Sequence, residues 1–70
     1  MFLHFTPSTK EQATKFRAIL DDSPFSYEFN YDYFSFEEDE ETVDQLEIDL
    51  TKILDSNEID GYFELDYEDE

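Results

Sequence analysis

The chain has no cysteine, no tryptophan, a single glycine, a single histidine, two prolines and only four basic residues among seventy. Without cysteine it can form neither a disulfide nor a thiolate metal site, which fits a reducing cytoplasm. No basic stretch followed by an apolar one marks a secretory leader. No apolar run approaches the roughly 20 residues needed to cross a bilayer. With His4 as the only imidazole, nucleophilic or metal-assisted catalysis has almost nothing to draw on. The one glycine stands at position 61, so a tight turn earlier in the chain must form without one.

The shortage of basic residues sets the electrostatics. Twenty-one acids give a net charge of −17. Residues 1–20 carry Lys10, Lys15 and Arg17 against Glu11, a net of +2, and residues 21–70 carry twenty acids against Lys52, a net of −19. A surface of this sign repels nucleic acid and anionic membrane and attracts basic protein surfaces. Thirteen aromatic residues argue against disorder, because disordered segments are poor in them. Salt adaptation would spread acids evenly, whereas here the first twenty residues are mildly basic.

Met1–Thr6 reads as a strand, with Leu3 and Phe5 on one face and Phe2 and His4 on the other. Ser8 with Glu11 three residues on has the form of a capping box, predicting a helix from about Thr9. Ala13, Phe16, Ile19 and Leu20 fall on one side of that helix. Asp21-Asp22-Ser23-Pro24 closes it. From Phe25 aromatic residues alternate: Phe25, Tyr27, Phe29, Tyr31 and Tyr33 against Ser26, Glu28, Asn30 and Asp32. Phe34 and Phe36 then stand on the opposite parity. That slip requires either a β-bulge near Tyr33-Phe34 or two strands joined by a tight turn around Asn30-Tyr31-Asp32.

Five consecutive acids, Glu37–Glu41, lead into a second helix with Ser35 or Asp39 as candidate cap. Carboxylates in its first turn would favour the positive end of the helix dipole, which accounts for two or three of them at most. Val43, Leu46, Leu50, Ile53 and Leu54 form its buried stripe. Ile48 stands among the outward acids, where an interface anchor would sit. After Asp55-Ser56-Asn57 a last strand runs from Ile59 to Tyr67. Residues 1–67 therefore read as one α+β domain with a frayed acidic end at 68–70. The strand–helix–strand order, occurring twice, predicts a small antiparallel sheet of three or four strands with both helices on one face. The ferredoxin-like split βαβ is the arrangement that fits. The other face is left to tyrosines and acids, and an exposed edge strand would allow two copies to pair.

The segment Asp55–Gly61 has two acidic or amide residues at calcium-loop spacing, but Asp60 occupies the sixth position, where that loop needs glycine. Neither metal nor cofactor is expected. Acids in this number make chance carboxylate pairs certain, so no pair points to acid–base catalysis. The spacings suggest something else. Alternate strand residues lie about 6.6 Å apart, and helical neighbours at i and i+4 about 5–6 Å. Phosphates recur every ~3.4 Å of axis along a DNA strand. Carboxylates on rigid elements can thus stand roughly where phosphates stand. The candidate partner-binding residues are Glu28, Asp32, Glu37, Glu38, Asp39, Glu40, Glu41, Asp44, Ile48, Glu58, Asp60, Glu64 and Asp66.

In charge, size and aromatic content the whole chain resembles DNA-mimic proteins, small acidic inhibitors that are often phage-encoded. The resemblance implies a non-enzymatic inhibitor of the anti-restriction or anti-CRISPR type. Its partner would be a basic nucleic-acid-binding protein such as a nuclease, restriction enzyme, CRISPR effector, glycosylase or nucleoid protein. The order FLHFTPSTKEQATKFRAIL, aromatic strand, helix, Asp60-Gly61-Tyr62-Phe63 is also similar to ribonuclease E inhibitor B proteins, which are acidic and ferredoxin-like. Here Tyr62 replaces the tryptophan of their DG-Trp, and the central hairpin is shorter. The remaining alternative is an immunity- or antitoxin-like module, or an adaptor, anchored by Ile48 and the tyrosines.

Overall fold

The computed structural model describes residues 1–66. The expected fray at 68–70, and Tyr67 as part of the last strand, lie outside the described residues. Six elements follow in the order β1 (Phe2–Pro7), α1 (Lys10–Asp21), β2 (Glu28–Asn30), β3 (Tyr33–Glu37), α2 (Val43–Ser56) and β4 (Gly61–Asp66). The strands form one antiparallel sheet in the order β2-β3-β1-β4. This is the ferredoxin-like arrangement expected from the repeated strand–helix–strand pattern.

Period-two alternation sorts the sheet into two faces. Leu3 pairs with Phe36 and Phe5 with Phe34, and all four are buried. Phe16 and Leu20 from α1, and Val43, Leu46, Leu50 and Leu54 from α2, join them in a single core. Both helices therefore cover the same face, as predicted. The core is held by ring contacts. Phe16 stands edge-on to Phe5, with centroids 5.2 Å apart, and to Phe34 at 5.1 Å. Phe29 packs on Phe34 at 4.6 Å and Phe63 on Phe5 at 5.0 Å. Such pairs contribute about 0.5–1.5 kcal/mol each beyond the area they bury.

The parity slip is resolved as a hairpin. Asn30 pairs with Tyr33, leaving Tyr31-Asp32 as a two-residue turn. Tyr31 adopts φ 55, a left-handed conformation that glycine would take more easily. The turn reverses the faces, so Phe29 points to the core while Tyr33 lies on the open side of the sheet. Phe25 and Tyr27 precede β2 in irregular backbone and still pack against the core.

The caps differ from expectation. α1 is capped by Thr9, not Ser8, because the Gln12 N–H donates to Thr9 Oγ1 at 3.1 Å, three residues on. Ser8 instead donates its N–H to the Asp60 carbonyl and extends the β1–β4 ladder. Neither Ser35 nor Asp39 caps α2. Ser35 lies within β3, and Asp39 offers its backbone carbonyl to Thr42 and Val43 rather than its side chain. α2 ends in a Schellman motif: the Ile59 N–H donates to Leu54 C=O and the Glu58 N–H to Asp55 C=O. Glu58 supplies the left-handed residue at φ 55. This motif, and not an ion loop, is what Asp55–Gly61 forms.

The sole glycine serves packing rather than a turn. A Cβ on Gly61 would lie 2.4 Å from the Thr6 carbonyl oxygen and 2.6 Å from the Phe5 ring. Gly61→Ala is expected to destabilise the fold by about 2–3 kcal/mol, as overpacking does. Glu58→Gly, by relieving the left-handed strain, is expected to stabilise it by about 0.5–1 kcal/mol. Glu58→Ala removes the same charge and keeps the strain, so it gains nothing comparable. Urea unfolding curves of the three variants check the set.

Candidate protein-interaction surface

The antiparallel topology sorts the acids by position. β1 begins where β3 ends, and the Glu38 N–H donates to the Met1 carbonyl at 3.1 Å. At that end of the sheet stand Glu37 closing β3, the connection Glu38–Glu41, and Asp44 in the first turn of α2. Asp66 joins them, since Glu37 and Asp66 both pair with Phe2 from opposite sides. At the other end stand Asp32 in the hairpin turn and Glu58 and Asp60 between α2 and β4. Glu28 and Glu64 share the middle row of the open face, in the order Glu28, Ser35, His4, Glu64. The thirteen candidate residues thus do not form one patch. The dense group is an acidic pole of Glu37–Glu41, Asp44 and Asp66, continued over the open face by Glu28 and Glu64.

The pole is held in shape by its own hydrogen bonds. The Thr42 hydroxyl donates to Glu38 Oε1 at 2.6 Å, and Thr42 and Val43 donate their N–H groups to the Asp39 carbonyl at 3.0 and 2.9 Å. Only Asp44 lies in the first turn of α2. The helix dipole therefore accounts for one carboxylate, fewer than expected, because Glu37 belongs to β3 and Glu38–Glu41 to the connection. On the open face, Glu37 and Asp66 are two strand spacings apart, about 9.6 Å, and Glu28 and Glu64 three, about 14 Å.

No lysine or arginine neutralises this surface among the described residues. Lys15 Nζ donates to the Asn57 carbonyl at 2.7 Å, where it meets the negative end of α2. The Arg17 guanidinium lies over the Phe29 ring, 5.8 Å from its centroid. Among the described residues, the one contact between a carboxylate and a basic side chain is His4 Nε2 to Asp66 Oδ2 at 3.5 Å. Near the end of α1, the Tyr27 hydroxyl donates to Asp21 Oδ1 at 2.5 Å, and that bond raises the phenol above its ordinary pKa of 10.0.

His4 also contacts Ser35 Oγ through Nδ1 at 2.8 Å. Proton on Nε2, with the Ser35 hydroxyl donating to Nδ1, satisfies both neighbours. Ser35, His4 and Asp66 thus have the members of a hydrolytic relay, a juxtaposition the sequence alone gives no means to see. The parts around them are missing. Ser35 is only 8% exposed in an inner strand of the sheet, where ladder pairing occupies the backbone N–H groups that could hold an oxyanion. Phe2 stacks beside His4 and Tyr33 meets it edge-on, so the imidazole is packed as part of the open face.

The apolar candidates are scattered. Ile48 is 50% exposed on the outer side of α2, Tyr31 is 97% exposed at the hairpin tip, and Tyr62 is 60% exposed on the open face. No helix among the described residues is long and apolar enough to cross a membrane, and no group of histidine and carboxylate side chains there is arranged to hold a metal ion. Comparison with family models, with curated proteins and with solved structures gave no match.

Uncompensated like charge opposes folding, and salt screens it. Raising sodium chloride from about 50 mM to about 500 mM is expected to raise the melting temperature by about 4 °C or more, since ~1 kcal/mol moves a domain of this size that far. Circular dichroism melts at the two concentrations measure it.

Proposed function

We propose that the chain is a non-enzymatic inhibitor whose acidic pole and open sheet face occupy the nucleic-acid-binding surface of a basic protein. The observation that carries this reading is that the acids at the pole have no lysine or arginine partner within the described chain, while their backbone is fixed by hydrogen bonds. An acidic surface kept only for solubility needs no fixed geometry. One that is matched to a phosphate-binding cleft gains from it, because less ordering is left to do on binding. Nucleases, restriction enzymes, CRISPR effectors, glycosylases and nucleoid proteins all present such clefts, and the action would take place in the cytoplasm.

The adaptor or immunity-type reading needs an apolar anchor patch. Ile48, on the outer side of α2, and Tyr62, which borders the open face with Tyr33, lie on opposite sides of the molecule, which favours the first reading. The two readings differ in salt dependence. Binding by phosphate mimicry falls steeply as salt rises, whereas binding by apolar anchors changes little.

Glu38→Lys, Glu40→Lys and Asp44→Lys together are expected to abolish binding while the domain stays folded. Glu40 and Asp44 have no contact that the fold depends on, and Glu38 loses one exposed bond to Thr42. The measurement is competition: a basic protein captured by the chain is mixed with labelled duplex DNA, and the wild-type chain displaces the DNA while the triple variant does not. Equal displacement by a folded triple variant overturns the reading.

A further inference from the structure

β4 is the outermost strand of the sheet, and the charge of Glu64 and Asp66 is the only one of the usual edge protections it carries. Natural edges are shortened, bulged, covered, or marked with proline or charged side chains, lysine above all. β2 at the opposite edge has three residues. β4 has six, contains neither proline nor lysine, and pairs with β1 without a bulge from Pro7–Gly61 to Phe2–Asp66. No element lies outside it among the described residues.

The ladder shows which groups are free. The Ser8 N–H donates to the Asp60 carbonyl at 2.9 Å. Antiparallel alternation then turns Tyr62, Glu64 and Asp66 toward β1, and turns the N–H and C=O of Phe63 and Leu65 outward. Beside these free groups Glu64 and Asp66 project onto the open face, about 6.6 Å apart. Leu65, 36% exposed, lies incompletely covered on the other face. A second copy of β4 laid here would bring carboxylates against carboxylates and be repelled. An extended segment with lysine or arginine at alternate positions meets opposite charge at the same spacing.

We propose that the β4 edge receives an extended basic segment of the partner by strand addition. This deepens the inhibitor reading and rests on it: the acidic pole holds the partner's basic surface, and β4 takes a neighbouring Lys- or Arg-bearing strand. Main-chain hydrogen bonds to Phe63 and Leu65 supply attachment, and Glu64 and Asp66 select the sign of charge. The pairing of two copies that an exposed edge strand would allow is disfavoured by the same carboxylates.

The probe is a blocked peptide of about ten residues alternating lysine with valine, with a glutamate-for-lysine version as control. Amide NMR spectra of the whole chain are expected to show the lysine peptide shifting Phe63 and Leu65 and slowing their exchange, while the glutamate peptide leaves them unchanged. Leu65→Pro removes an outward N–H without altering charge, at a position where edge strands tolerate proline, and is expected to weaken binding about tenfold or more. A lysine peptide N-methylated on its β4-facing residues tests the same bonds against the unaltered chain, and is expected to lose binding. Unchanged affinity of the N-methylated peptide, or shifts confined to residues 37–41, overturns the proposal. The inhibitor reading is tested separately: the triple reversal at Glu38, Glu40 and Asp44 leaves β4 intact, so loss of partner binding there with failure at β4 rejects strand addition alone.

Discussion

The fold depends on the wedge that Phe16 makes between Phe5 and Phe34. Those three rings tie α1 to the two central strands, and Phe29 and Phe63 extend the contact to β2 and β4. A domain of seventy residues has little core to spare. Here that core must also outweigh the self-repulsion of a net charge of −17. Aromatic rings suit the task because each buries a large area at low conformational cost. The concentration of phenylalanine and tyrosine is thus the counterpart of the acidity. A chain with this charge and an ordinary aliphatic core of the same size would hold less securely.

Most of the fold was legible in the sequence. Period two in Leu3 and Phe5, and the helical spacing of Phe16 with Leu20 and of Leu46, Leu50 and Leu54, named the elements and their buried faces. Boundaries were less legible, because competing hydrogen bonds decide them. Ser8 and Thr9 both have the chemistry of a cap, and tertiary pairing of Ser8 with Asp60 left the role to Thr9. The slip at Tyr33-Phe34 showed that the faces must exchange, yet no residue pattern said that a tyrosine would take the left-handed position of the turn. Once the turn is known, Tyr33 moves from the core side to the open side.

The site was legible in charge and not in grouping. The run Glu37–Glu41 is conspicuous in the sequence, and the structure gathers Asp44 and Asp66 to it. Asp32, Glu58 and Asp60 go to the other end, a separation that depends on strand order. The contact of His4 with Ser35 and Asp66 joins residues far apart in the chain and had no local signal. Nor did the sequence show that Lys15 would meet a helix-end carbonyl and Arg17 a phenylalanine ring.

The two edges of the sheet are unequal, and this limits assembly. β4 presents an open edge six residues long, with the backbone groups of alternate residues free, while the edge of β2 at the far side is three residues long. A strand laid beside β4 lengthens the sheet in one direction only, since β2 is too short to template another chain in turn. With one long edge and one short one, copies of the chain cannot pair β4 with β2 along six residues, so this sheet does not make the molecule the repeating unit of a fibre.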